Sequence, residues 1–248
     1  MTLVEVQREG SIATVELHRK QKRNALDVAL RDALETTLVG LEADDAVKVV
    51  ILTGGEEMFS AGYDLAEMVG TDLGSLFHRG HEYTRVTSFF KKPLITAVAG
   101  FALAGGFDLA LSGDIIIATE GTRLGRPEIR WGVNPLMSKL HLRMGFAPAL
   151  RFTLKGEVVD AEDALALGIV DAVVRRHELI ATARHEAEQI AAQPLPVLLA
   201  VKRAAYQVPT MTPLQAIEYE FGVTAELVQE GTPRRSLASY AKEVGVLK

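Results

Sequence analysis

The chain has 248 residues, 48% of them hydrophobic and 24% charged, with a formal net charge of −5 and no cysteine. A core of that size needs no covalent staples, and the absence of cysteine excludes disulfides, thiolate nucleophiles and thiolate metal sites. The acidic balance argues against nucleic acid as the main partner, because a duplex-binding protein carries a basic surplus; a small anionic ligand needs only a few local Lys and Arg residues.

The chain opens with MTLVEVQREG, with no basic segment followed by an apolar run. No apolar stretch approaches the ~20 residues of a membrane helix. The expectation is a cytoplasmic protein with no membrane partner. In chain order, Leu3 to Val6 and Ile12 to Leu17 flank Glu9-Gly10-Ser11 as a β-hairpin. A basic loop from Arg19 to Asn24 follows. Leu26, Leu30, Ala33, Leu34, Leu38 and Leu41 then recur at helical spacing.

Val47 to Leu52 is a mostly apolar run of strand length, the pattern of a strand buried on both faces. Leu94 to Val98 predicts another strand, Gly105 to Leu111 a short helix, and Ile115 to Ala118 and Ile169 to Val174 further strands. From about Ala181 the chain is helical in character, broken by Pro194, Pro196, Pro209 and Pro213. The architecture is α/β with a C-terminal helical region suited to packing on another subunit. Two apolar strands each lead into a Gly-containing loop and then a helix.

Those two loops are Met58-Phe59-Ser60-Ala61-Gly62-Tyr63-Asp64-Leu65 and Ala99 to Leu109. Small residues let a ligand approach the backbone, and a helix N-terminus presents unpaired N–H donors. Two such donors meeting at one point hold a developing oxyanion; the competing reading of such glycines is close packing. Gly100, Gly105 and Gly106 form no dinucleotide fingerprint and no Gly-Lys-Ser/Thr follows, so nucleotide binding is set aside. The six histidines show no metal-ligand spacing, and no metal is implied. His78 and His81, three apart in a helical stretch, read as surface residues.

FSAGYDL and GFALAGGFDLALSGDI resemble the two signatures of the crotonase superfamily (the enoyl-CoA hydratase/isomerase family), and RLGRPEI follows about twenty residues later at the family's spacing. The resemblance runs from Asn24 to the late EGTPRRSLASY stretch. It implies a crotonase spiral of repeated ββα units over 1–190 and a C-terminal helical trimerisation region over 191–248, hence a homotrimer or a dimer of trimers. It also implies an acyl-coenzyme A substrate and no tightly bound cofactor, coenzyme A entering as part of the thioester, and a lid over the acyl pocket formed by the stretch from Gly70 to Lys92, near His78 and His81.

By the same resemblance, the backbone amides of Tyr63 and Gly105 hold the thioester oxygen, and Asp108 and Glu128 flank the reacting water. Adding water to an α,β-unsaturated thioester needs a base for the water and an acid for the α-carbon, which explains a carboxylate pair. Each acid also has a plainer reading: Asp108 as a first-turn helix acid, and Glu128 as the partner of Arg123, Arg126 or Arg130. Coenzyme A is expected along Lys22, Arg23, Ala25 and Leu26 and along Ser60, Ala61, Gly62, Asp64 and Leu65, with Lys22 and Arg23 neutralising phosphate. A solvated surface loop is the plainer reading of that basic run.

Two departures bear on the reaction. Family hydratases carry Glu at the first acid position, where this chain has the shorter Asp108. The segment Trp131 to Ser138 replaces a glycine-rich stretch with bulkier Leu136 and Met137. The leading expectation is an enoyl-CoA hydratase. An enoyl-CoA isomerase or another enolate-forming crotonase is the alternative, followed by a non-catalytic homologue binding coenzyme A, RNA or protein.

Overall fold

A computed structural model describes residues 2–244. The chain begins with the antiparallel hairpin β1 (Val4–Glu9) and β2 (Ile12–Leu17). Then come α1 (Val28–Ala43), β3 (Val49–Thr53), α2 (Leu65–Gly70), α3 (Leu73–Ser88), β4 (Leu94–Val98), β5 (Phe101–Leu103) and α4 (Gly105–Ala110). They are followed by β6 (Ile115–Thr119), β7 (Arg123–Gly125), α5 (Leu140–Met144), α6 (Phe146–Lys155), β8 (Val158–Val159), α7 (Ala161–Ala166) and β9 (Ala172–Val174). Four helices close the chain: α8 (Leu179–Ala191), α9 (Leu195–Gln207), α10 (Pro213–Gln229) and α11 (Thr232–Glu243).

The main sheet has the order β1-β2-β3-β4-β6-β9, parallel from β2 onward. Its central strands are apolar throughout because both faces are covered. In β3, Val50 and Leu52 point into the larger core under α1, while Val49 and Ile51 point to the opposite face and α8. β4 and β6 divide the same way: Leu94, Val98, Ile116 and Ala118 serve one core, Ile95, Ala97 and Ile117 the other. At ~1.5–3 kcal/mol for each fully buried Val, Leu or Ile side chain, this two-sided burial is a leading source of stability. α8 contributes only Leu179, Ala183, Ala187 and Ala191 to its core, and these small side chains let it lie close to the sheet.

A second sheet, β5-β7-β8, stands at the end of the first and carries the site. It is absent from the sequence reading because strands of two or three residues leave no periodic signal. Two boundaries also move. The helix expected to include Leu26 begins at Val28, because Asp27 is its N-cap (accepting from Leu30 N–H at 2.8 Å) and the Leu26 N–H donates to Gly62. The strand expected from Ile169 begins at Ala172, because the Ile169 N–H turns back to the Ala164 carbonyl. No helix among the described residues is long and apolar enough to cross a membrane.

Candidate active site

The two glycine-bearing loops are stitched together by main-chain bonds. Ser60 N–H donates to the Phe101 carbonyl and Leu103 N–H to the Ser60 carbonyl, both at 3.1 Å, so Ser60 pairs with Ala102 as an extra rung on β5. Gly62 has φ +93°, and a Cβ there would lie 2.7 Å from the Leu103 carbonyl oxygen and 3.1 Å from the Gly105 nitrogen. Only glycine permits that turn and that approach. Gly106 is equally constrained, since its Cβ would stand 2.4 Å from the Ser60 carbonyl oxygen.

The outcome is a meeting of the Tyr63 and Gly105 amides. The position of a Cβ on Gly105 lies 3.5 Å from the Tyr63 nitrogen. Among the described residues neither N–H has a hydrogen-bond partner, so both donors are free. Gly105 is the first residue of α4, where N–H groups have no intrahelical acceptor. Ala104, just before it, is held at φ +50°, ψ −123°, a conformation that glycine prefers and that costs other residues ~1–3 kcal/mol. Its N–H is fixed to the Gly125 carbonyl at 2.9 Å, so the second sheet bears that strain.

One turn along α4 sits Asp108. Glu128 arrives from the 3-10 turn Pro127–Trp131 after β7. Between them lies Arg126, fully buried, with Nη1 2.7 Å from Asp108 Oδ1 and 3.6 Å from Glu128 Oε1 and its guanidinium over the Phe107 ring at 5.2 Å. The contact rests on charge and distance, because no guanidinium nitrogen aims an N–H at a protein acceptor. Glu128 Oε2 likewise has no protein partner. Burial raises the pKa of both acids and Arg126 opposes the rise in each, while the Asp108 charge raises Glu128 further.

The site cavity is lined by Tyr63, Gly105, Asp108 and Leu136, by Lys139, and by α3 through Tyr83. Placing α3 there agrees with the lid expected over Gly70 to Lys92, and His78 and His81 are exposed on its outer side. The coenzyme A positions fall into two groups. Lys22 and Arg23 are exposed at the surface, Ala25 is half-buried and Leu26 is buried. The Ser60 hydroxyl donates to the Asn24 carbonyl at 2.7 Å and accepts from Gly62 N–H, while Asp64 caps α2 and pairs with Arg19 at 2.7 Å. Ser60 and Asp64 thus use their side chains to hold the loop. Ala61 donates its N–H to the Arg23 carbonyl, and Leu65 is exposed.

Sequence reasoning named Arg126 only as a neighbour of Glu128 and passed over Lys139 and Tyr83. The first had a local signal, an Arg directly before Pro127-Glu128; Lys139 stands just beyond the segment already noted for lacking glycines.

Two neighbouring unpartnered amides, a buried carboxylate pair and a main sheet, parallel from β2 onward, with a small second sheet fit a crotonase-type α/β enzyme fold. The family model described as Enoyl-CoA hydratase/isomerase matches residues 7–244, and the chain belongs to that family. It is 35% identical over 242 residues to a Rhizobium meliloti protein named as a probable enoyl-CoA hydratase, covering 95% of this chain and 93% of that one. It is 37% identical over 195 residues to the short-chain-enoyl-CoA hydratase of Clostridium acetobutylicum, covering 75% and 74%. Among solved structures, the enoyl-CoA hydratase of Bacillus anthracis superposes with a TM-score of 0.92 at 26% identity, covering 97% of this chain and 96% of that one.

Proposed function

We propose that this chain is an enoyl-CoA hydratase that adds water across the double bond of a 2-enoyl-CoA thioester. The observation that carries the reading is the pair Asp108 and Glu128 on one buried guanidinium, with Asp108 on the short helix that begins at one of the two unpartnered amides. The Tyr63 and Gly105 N–H groups receive the thioester oxygen as it gains negative charge. Asp108 takes a proton from water as the water oxygen bonds to the β-carbon. The electron pair of the double bond moves through the α-carbon onto the thioester oxygen. Glu128 then protonates the α-carbon as the enolate collapses, and a proton shift between the acids restores the starting state.

Incubation with crotonyl-CoA, followed through loss of the conjugated thioester absorbance, tests this. Hydration that disappears in both Asp108→Asn and Glu128→Gln supports it. The 2.7 Å hold of Arg126 on Asp108, against a free Glu128 Oε2, favours double-bond isomerisation as the second reading. That reading takes over if only migration of a 3-enoyl double bond is seen, dependent on Glu128 alone.

Gly105→Ala tests the amide pair. Its Cβ would stand 2.7 and 2.8 Å from two carbons of the Tyr63 ring, which is backed by Arg31 at 4.9 Å and by Phe77. The ring has little room to retreat, so the shift falls on the donors, and kcat/KM is expected to drop ~10²-fold. Because Tyr63 acts through its backbone, adding Tyr63→Ala restores much of the loss. No recovery in the double variant would count against donors in these positions.

The C-terminal region leaves Leu214, Ile217, Phe221, Val228, Leu237 and Tyr240 exposed on α10 and α11. Apolar side chains on successive turns support self-association through 191–248, in keeping with a trimer or a dimer of trimers. Sedimentation equilibrium is expected to return three or six times the 26.9 kDa chain mass. A monomer at micromolar concentration refutes it.

A further inference from the structure

Lys139 is the most unusual group in the cavity. Its ammonium donates to Ser112 Oγ at 2.6 Å, and no carboxylate of the described residues stands within 4.0 Å of it. A buried lysine with a structural role pairs more fully: Lys202 donates to Asp114 at 2.8 Å and to the Lys92 carbonyl at 2.7 Å. An ammonium has three donors, so Lys139 keeps two to spare. Tyr83 adds an independent observation. Its side chain is 4% exposed, it lines the same cavity, and its hydroxyl has no protein partner. Burial keeps that phenol protonated, with a pKa well above the usual range, so it is a donor in need of an acceptor.

The rest of the lining is largely polar: Thr84, Thr87, Ser88 and Ser138 border the cavity, with Leu109 and Leu136 as its larger apolar residues, while the Thr84 and Thr87 hydroxyls donate to helix carbonyls. A pocket for a plain hydrocarbon tail gains nothing from an ammonium and an orphan phenol, since each must be desolvated when the tail enters. The Lys139 acceptor Ser112 lies two residues beyond α4 and in turn donates to the Asp108 carbonyl at 3.3 Å, which ties the ammonium to the Asp108 end of the cavity.

We infer that the acyl end of this site recognises a thioester whose acyl chain ends in a carboxylate, with Lys139 as its cation and Tyr83 as a neutral donor. The inference rests on the thioester-binding reading above and adds the class of acyl group. Charge bookkeeping agrees with it. With Glu128 protonated, as its role as the acid requires, the charges of Asp108, Arg126 and Lys139 leave one positive charge over, and a single carboxylate on the acyl chain brings the site to neutrality.

The ionisation of Lys139 gives the inference a pH signature. Burial lowers its pKa to about 7, helped by Lys202 and Arg126 and opposed by Asp108 and Asp114. An anionic tail favours the protonated form, so its binding is tied to proton uptake above pH 7, whereas a neutral tail has no such requirement.

Saturated thioesters read recognition without turnover. In titration calorimetry on the intact protein, glutaryl-CoA is expected to bind at least tenfold more tightly than valeryl-CoA at pH 7, and that preference to fall about fivefold by pH 8. Lys139→Met abolishes the preference, and Tyr83→Phe, which removes only an unpartnered hydroxyl and leaves the fold intact, reduces it about threefold. Should Lys139→Met not fold, the Tyr83→Phe and pH arms decide. Tighter binding of valeryl-CoA, or an unchanged preference in the variants, overturns the inference with the thioester reading left standing. Absence of binding by both thioesters removes the thioester reading, and this inference with it.

Discussion

Glu128→Gln is expected to lower kcat for crotonyl-CoA hydration by ~10²–10⁴ with little change in KM, the range that general acid catalysis supplies. The substitution keeps shape and polarity, so the 3-10 turn from Pro127 and the Arg126 contact persist. What it removes is a transferable proton at a buried position 7% exposed, where solvent cannot easily stand in. The kinetic pattern carries the diagnosis. Equal falls in kcat and kcat/KM identify a group acting in the transition state, whereas a raised KM at constant kcat would make Glu128 a binding residue and sink the assignment.

The second large effect belongs to Arg126→Met. Among the described residues the guanidinium is the one cation touching both acids, and it is wholly buried against Phe107. Methionine keeps much of the apolar contact but strands two carboxyls without a counter-charge. Breaking a buried ionic cluster on one side costs ~3–5 kcal/mol, and a loss of that order is expected in denaturant unfolding.

Its pH dependence has a definite sign. Both acids already have folded-state pKa values above their ordinary ones, chiefly through burial, so their contribution to stability is fully present at low pH, where they are protonated in either state. That contribution is lost as pH rises through the folded-state values. Removing Arg126 raises those values further, since it is the cation opposing burial. The variant should therefore lose more stability relative to the parent at pH 8 than at pH 5. An equal loss at both values would mean that Arg126 acts by packing alone.

Much of this architecture was legible in the chain itself. The apolar runs ending at Leu52 and Val98 gave central strands because burial on both sheet faces erases alternation, a pattern few other settings produce. The loops after them stood out by their glycines, and Gly62 and Gly106 do occupy places where a Cβ would meet backbone within 2.7 Å. What escaped notice depends on contacts between distant segments. The second sheet is built from strands too short for periodicity. Arg126 earns its position by reaching across to Asp108, eighteen residues earlier in the chain. Tyr83 reads as one aromatic among several on α3 until its hydroxyl is found buried without an acceptor. Lys139 carries no motif, and only the fold brings it to Ser112.

The main-chain lacing of Ser60 to β5 has an evolutionary corollary. The anion-binding point proposed above is built from peptide groups and a few glycines, so it is indifferent to the identity of most side chains around it. On that proposal, residues at 108, 128, 139 and 83 can be exchanged while the thioester site persists. A scaffold of this kind separates the part that must not drift from the parts that choose the reaction and its substrate, and new chemistry can arise here by single substitutions without passing through an unfolded ancestor.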